Sequence, residues 1–177
     1  MYICESMALI RDLEKNEVEE IAKEVYEKFE RETGKAPEWV KVMAHSPKIL
    51  KEFTELFKVI MAEGEIKSYL KWKIAYTVSE MLRCPFCVDV TTKMLERFGA
   101  TEKMMRKTTD IKELKEAEKE ILELVKDVTD DAHLDQPEIF QKLKEKFNEA
   151  QIVEIISVIG LFNYINRFNN TFGVLPE

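Results

Sequence analysis

The chain has 177 residues, 45% apolar and 34% charged, and carries a formal net charge of −7. That length supports one domain with a full hydrophobic core and is short for two, so a single domain over 1–177 is expected, with 1–11 as an N-terminal arm. The acidic balance excludes nucleic acid as the main partner, because phosphate binding needs a basic face.

No membrane partner is expected either. The most apolar segment, Ile152 to Ile165, is interrupted by Glu154 and falls short of the ~20 residues that span a bilayer. Met1 to Ile10 lacks a basic leader and a long apolar run, which points to a cytoplasmic protein. In that compartment a close cysteine pair is more often catalytic or metal-binding than a structural staple.

Five glycines and five prolines leave few turns and favour long helices. Asn16, with Glu19 three later, has the pattern of a capping box and opens a helix carrying Val18, Ile21, Ala22, Val25 and Phe29, with Gly34 as its stop. Pro37 opens a short segment with Trp39, Val40 and Met43. Ser46-Pro47 starts a helix whose inner face is Ile49, Leu50, Phe53, Phe57, Ile60 and Met61, ended by Gly64. Ile66 to Leu82 is apolar most of the way round, the mark of a central helix. The next helix carries Phe86, Cys87, Val90, Met94, Leu95 and Phe98 and stops at Gly99.

Thr101 caps a short turn with Met104 and Met105, and Lys107 to Lys112 is the best candidate for a mobile connection. Asp110, with Glu113 three later, opens a charged amphipathic helix through Ile121, Leu124 and Val128. Thr129 to Gln136 reads as a polar loop, and Pro137 begins a helix with Ile139, Phe140 and Leu143. Asn148 and Gln151 form a last capping box before a helix that runs to about Phe172. No β-alternation of useful length occurs, so the fold class is all-α, a multi-helix bundle. The interleaved Glu and Lys residues read as a solvated helix surface.

The chemistry concentrates at Cys84-Pro85-Phe86-Cys87. Pro85 fits the first position of a helix and disfavours helical geometry at Cys84. Cys84 is then at or beside the N-cap, and Cys87 lies in the first turn on the same side. Unpaired N–H groups and the positive end of the dipole there stabilise a thiolate. Cysteines at this spacing can approach closely enough for a disulfide. Zinc would need about four ligands, and Cys4, His45 and His133 form no second ligand pair, so neither a metal nor a bound cofactor is expected.

Three further residues are candidates. Thr91, four after Cys87, has a hydroxyl that can donate to a Cys87 thiolate or simply close a helix contact. Glu80, four before Cys84, is the nearest acid in sequence and a candidate proton acceptor, unless it is a surface carboxylate or a partner of Arg83. Arg167, on a mostly apolar last helix, is expected to pair with a carboxylate or with neighbouring carbonyls.

The stretch Ile66 to Thr101 resembles the carboxymuconolactone decarboxylase superfamily in its alkylhydroperoxidase-D-like branch. The shared features are a long apolar helix ending in Val78-Ser79, then Cys84-x-x-Cys87, then a helix closing with Phe98-Gly99-Ala100-Thr101. His45 to Leu50 and the segment from Ile155 to Glu177 are similar to other parts of that family.

The resemblance implies the all-α fold and dithiol chemistry. The leading expectation is a thiol oxidoreductase in which Cys87 attacks a peroxide or a partner's disulfide and Cys84 resolves the product, although the sequence does not fix which sulfur attacks first. The resemblance also implies a dithiol reductant as electron donor, and a homo-oligomer, commonly a trimer or a multiple of it. In that branch a proton relay joins the cysteine pair to a Glu about three turns upstream and a His four residues downstream. Here those two points are Trp72 and Thr91, so slow peroxidase turnover is expected. The rival expectations are a non-enzymatic or redox-sensing homo-oligomer that keeps the fold without the relay and, more distantly, the lactone decarboxylase activity of the superfamily's name.

Overall fold

The computed structural model describes residues 9–101, 105, 116–131 and 137–176. Its described elements are all helical: α1 (Glu20–Thr33), α2 (Glu38–Met43), α3 (Pro47–Met61), α4 (Ser68–Met81), α5 (Pro85–Arg97), α6 (Glu116–Asp130), α7 (Pro137–Lys146) and α8 (Glu149–Phe172). The expected all-α class is what the structure shows, with no strand among the described residues. Cys4, His133, the connection at Lys107 to Lys112 and the helix start at Asp110 lie outside the described residues.

By internal contacts the chain forms two compact units, Met1–Val59 with Phe168–Glu177, and Ile60–Arg167. In the first, Phe29, Trp39 and Phe53 form an edge-to-face chain with centroid distances of 5.5 and 5.6 Å. Leu9 N–H donates to the Phe172 carbonyl at 3.0 Å, and Leu175 N–H donates to the Glu38 carboxylate at 3.0 Å.

Two expectations in this unit need correction. The first helix is capped at Glu19, not Asn16, because Glu17 closes a separate turn. Its carboxylate accepts the Glu14 N–H at 2.8 Å and its own N–H donates to the Glu14 carbonyl at 2.8 Å. Ile49, assigned to the inner face of α3, points outward, whereas Leu50 and Phe53 are buried as expected.

The second unit is built round α4, which packs against both α5 and α6. Every residue from Lys71 to Ser79 is buried, as the all-round apolar pattern predicts. Trp72 is core material here, edge-on to Phe162 at 6.1 Å. The capping box at the head of α8 forms as read: Asn148 N–H donates to Gln151 Oε1 at 3.0 Å, and Gln151 N–H donates to Asn148 Oδ1 at 2.9 Å. Helix α6 extends to Asp130, so the polar loop begins later than Thr129.

The reading of the lysines as surface charge fails at two positions. Lys71 is 1% exposed, and its ammonium meets the Ile60 and Ala62 carbonyls at 2.8 and 2.7 Å and the Glu154 carboxylate at 3.0 Å. Lys73, also buried, meets Glu118 at 2.8 Å and lies over the Tyr69 ring at 5.3 Å. A buried ammonium is tolerated only when paired and hydrogen-bonded, and both of these are.

Glu154 also accepts the Glu65 and Ile66 N–H groups, each at 3.0 Å, so its carboxylate ties the loop after α3 to α8. Burial disfavours its charged form, but the two N–H donors and Lys71 outweigh that and hold its carboxyl below the usual range.

Candidate functional site

The end of α4 and the start of α5 share one residue. Arg83 N–H donates to the Glu80 carbonyl and Cys84 N–H to the Ser79 carbonyl, each at 3.2 Å. With Leu82 as the cap, this is the Schellman pair of bonds that satisfies the last carbonyls of a helix. The motif requires a left-handed residue just past the cap, usually glycine, but here Arg83 takes it with φ 51°. It is the only non-glycine at positive φ among the described residues, and that conformation costs a β-carbon-bearing residue on the order of 1 kcal/mol.

Cys84 then turns extended (φ −91°, ψ 105°) and becomes the N-cap of α5, with Pro85 in the first turn. Its sulfur accepts the Cys87 N–H at 3.4 Å, the place a serine or aspartate oxygen usually fills. The sulfurs of Cys84 and Cys87 lie 2.7 Å apart, both buried and not joined by a disulfide. An N–H aimed at sulfur at a helix start favours negative charge on the dithiol.

The other candidates fall in different places. Thr91 is fully buried, and its hydroxyl donates to the Cys87 carbonyl at 2.7 Å, with Val88 O at 3.1 Å, rather than to a sulfur. Glu80 is exposed, and its carboxylate has no hydrogen-bond or ion-pair partner among the described residues. Trp72 leaves no carboxylate at the upstream point.

Asp89 is held by Lys93 at 2.6 Å, and exposed His45 meets the Arg11 carbonyl at 2.9 Å. Arg167 is exposed and donates to the Asn163 side chain and, at 3.4 Å, to the Asn163 carbonyl. It therefore pairs with carbonyl groups rather than with a carboxylate.

Sequence reasoning missed two features. One is Arg83, whose left-handed backbone no composition rule predicts. The other is a buried polar brace behind the dithiol. Asn166, fully buried, donates to the Phe162 carbonyl at 2.6 Å and to Ser79 Oγ at 3.3 Å, and Ser79 Oγ donates to the Ala75 carbonyl at 2.7 Å. The same Ser79 supplies the carbonyl that holds Cys84 N–H. The signal available was Ser79 standing five before Cys84 and a polar residue at position 166 within an apolar helix.

Among the described residues no group of three or more His, Cys, Asp or Glu side chains could hold a metal ion. No described helix is long and apolar enough to cross a membrane.

No protein-family model matches the chain. It is 26% identical to the uncharacterized protein YdfG of Bacillus subtilis over 78% of this chain and 89% of that one. It is 32% identical to an alkyl hydroperoxide reductase of Mycobacterium tuberculosis over 45% of this chain, a match spanning 23% of that protein's length.

Among solved structures, a peroxidase-related protein from Ralstonia eutropha with an alkylhydroperoxidase AhpD core superposes with a TM-score of 0.87 at 17% identity. That match covers 98% of this chain and 94% of the other. The debrominase Bmp8, solved with 2,3,4-tribromopyrrole, superposes with a TM-score of 0.82 at 25% identity, over 98% and 94%. The chain therefore has the all-α fold of the alkylhydroperoxidase AhpD core, with a Cys-x-x-Cys where α5 begins.

Proposed function

We propose that the protein is a thiol-dependent peroxidase whose redox centre is the Cys84–Cys87 pair. The observation that carries this reading is the pair's geometry: two buried sulfurs 2.7 Å apart, one capping α5 and receiving the Cys87 N–H. Cys87 thiolate attacks the distal oxygen of a hydroperoxide, the O–O bond breaks, and Cys87 becomes a sulfenic acid while the alkoxide leaves and is protonated. Cys84 then displaces hydroxide from that sulfur, which leaves as water, and forms the disulfide. A dithiol donor of protein or small-thiol type returns the two electrons by thiol–disulfide exchange. The protein works in the cytoplasm as a homo-oligomer, a trimer or a multiple of it, and light scattering that gives a monomer of 20.8 kDa would rule the oligomer out.

Turnover is slow in this reading. General acid–base help typically contributes ~10²–10⁴-fold. Neither Thr91, with its proton on a carbonyl, nor the exposed Glu80 supplies that help directly in this arrangement. The test is peroxide consumption with a dithiol donor by the wild type, Cys84→Ser and Cys87→Ser. Loss of turnover in Cys87→Ser, with accumulation of sulfenic acid in Cys84→Ser, is expected. Unchanged turnover in Cys87→Ser would end the peroxidase reading.

The likeness to a debrominase favours a second use of the same dithiol, reductive dehalogenation. A thiolate would take bromine from an electron-rich ring, the ring carbon would take a proton, and the second sulfur would displace bromide to form the same disulfide. Bromide release from a bromopyrrole, measured beside peroxide consumption, separates the two.

A further inference from the structure

We propose that Arg83 is a specificity-determining residue of this dithiol site, and that its guanidinium receives the carboxylate of an anionic hydroperoxide. The inference rests on the peroxidase reading and names its substrate class.

Arg83 stands immediately before Cys84, is exposed, and holds φ 51° at the position of the Schellman motif that glycine fills without strain. Strain of this kind is kept where something offsets it. The two backbone bonds of the motif hold this turn whichever residue stands at 83, and they give no reason for an arginine in place of glycine. The Arg83 side chain has no hydrogen-bond or ion-pair partner among the described residues. From Lys73 to Lys93 the only other cations are those two lysines, and both are engaged, Lys73 by Glu118 and Lys93 by Asp89. Arg83 is therefore the uncommitted cation of the segment that carries the dithiol. Glu80, the nearest acid in sequence, is exposed and not within ion-pair distance of it.

The chemistry fits a carboxylate. A guanidinium offers a planar fork of donors that matches two carboxylate oxygens. On the far side of Cys84, Pro85 is exposed and Phe86 half-buried, so the cation is flanked in sequence by apolar surface. A cation two and three residues before an exposed proline and a half-buried phenylalanine suits an amphipathic acid, such as a long-chain fatty acid bearing a hydroperoxide.

The probes are linoleic acid hydroperoxide and its methyl ester, which differ by one charge. Wild type should prefer the acid in kcat/KM at low salt, and added salt should erode the preference. Arg83→Gly should reduce the acid-to-ester ratio by about fivefold, the scale of an exposed ion pair, whereas Arg83→Lys should keep most of it. A wild type without preference for the acid, or an unchanged ratio in Arg83→Gly, overturns the proposal.

Should the wild type turn over neither hydroperoxide, the peroxidase reading fails by itself, and calorimetric binding of linoleate below its micellar concentration then decides. Weaker binding to Arg83→Gly than to wild type upholds the anion site. Equal binding, or none to either, overturns it.

Discussion

The Thr91 hydroxyl donates to the Cys87 carbonyl at 2.7 Å, so its single proton is directed at backbone and not at sulfur. Thr91→Val keeps the shape and loses only that bond. It is expected to leave the peroxide rate essentially unchanged, and a large loss would mean that the hydroxyl takes part in the reaction. Thr91→His places an imidazole one turn from Cys87 and should raise the rate, within the ~10²–10⁴-fold range of general acid–base help. Because position 91 is fully buried, the larger ring also overpacks the site and should lower the melting temperature, by about 1–3 kcal/mol of stability. Stopped-flow peroxide consumption and a thermal melt on the same samples read both effects.

Backbone strain at Arg83 makes an opposite prediction about stability. Glycine removes the left-handed penalty but adds unfolded-chain entropy, and the two nearly offset. Arg83→Gly should therefore be neutral or stabilising, by less than about 1 kcal/mol. Arg83→Val, with a branched β-carbon at φ 51°, should lose about 1–2 kcal/mol. Urea unfolding compares them, and a Gly variant clearly less stable than the wild type contradicts the assignment.

The carboxylate of Glu154 holds two N–H groups and the buried Lys71 ammonium. Glu154→Gln leaves that ammonium with carbonyls alone and should destabilise the protein by about 1–3 kcal/mol. A β-carbon at Gly64 would collide with Glu154 Oε1, and since that oxygen is anchored it cannot swing aside, so Gly64→Ala should also destabilise. The pH dependence has a definite sign. Because the folded carboxyl titrates below the ordinary glutamate value of 4.5, its contribution is fully present above that value and is lost as pH falls through the lower, folded one. In Glu154→Gln this share of the acid sensitivity should disappear, which a melt series from neutral to acid pH measures.

Reversible oxidation of the dithiol is the last test. Mild peroxide treatment of the folded protein should join Cys84 to Cys87, and a dithiol reductant should return both thiols. Peptide mass mapping that finds both still reduced contradicts it.

Local chemistry made much of this legible in advance. Pro85 alone placed the start of α5 and made Cys84 its cap, and Asn148 with Gln151 announced the start of α8, because each signal acts within one helical turn. What the sequence hid depends on partners far along the chain. Lys71 reads as surface charge until Glu154 is brought beside it, and Lys73 until Glu118 is. Ile49 has the right spacing for the core face of α3, but periodicity cannot say where that face ends. Arg83 was illegible for another reason: a left-handed residue is inferred from glycine, and none is there. At the candidate site the dithiol itself was readable, whereas the brace of Ser79 and Asn166 was not, since it joins two helices distant in sequence.

Because one residue closes α4 and opens α5, the segment from Ser79 to Cys87 has a fixed length. Insertion of a single residue between Arg83 and Pro85 would separate the Ser79 bond from the sulfur that receives Cys87 N–H. Substitution can therefore tune this stretch, but lengthening or shortening it cannot. Grafting the redox centre onto another helical scaffold requires moving the whole segment as one cassette, together with a helix end able to receive it.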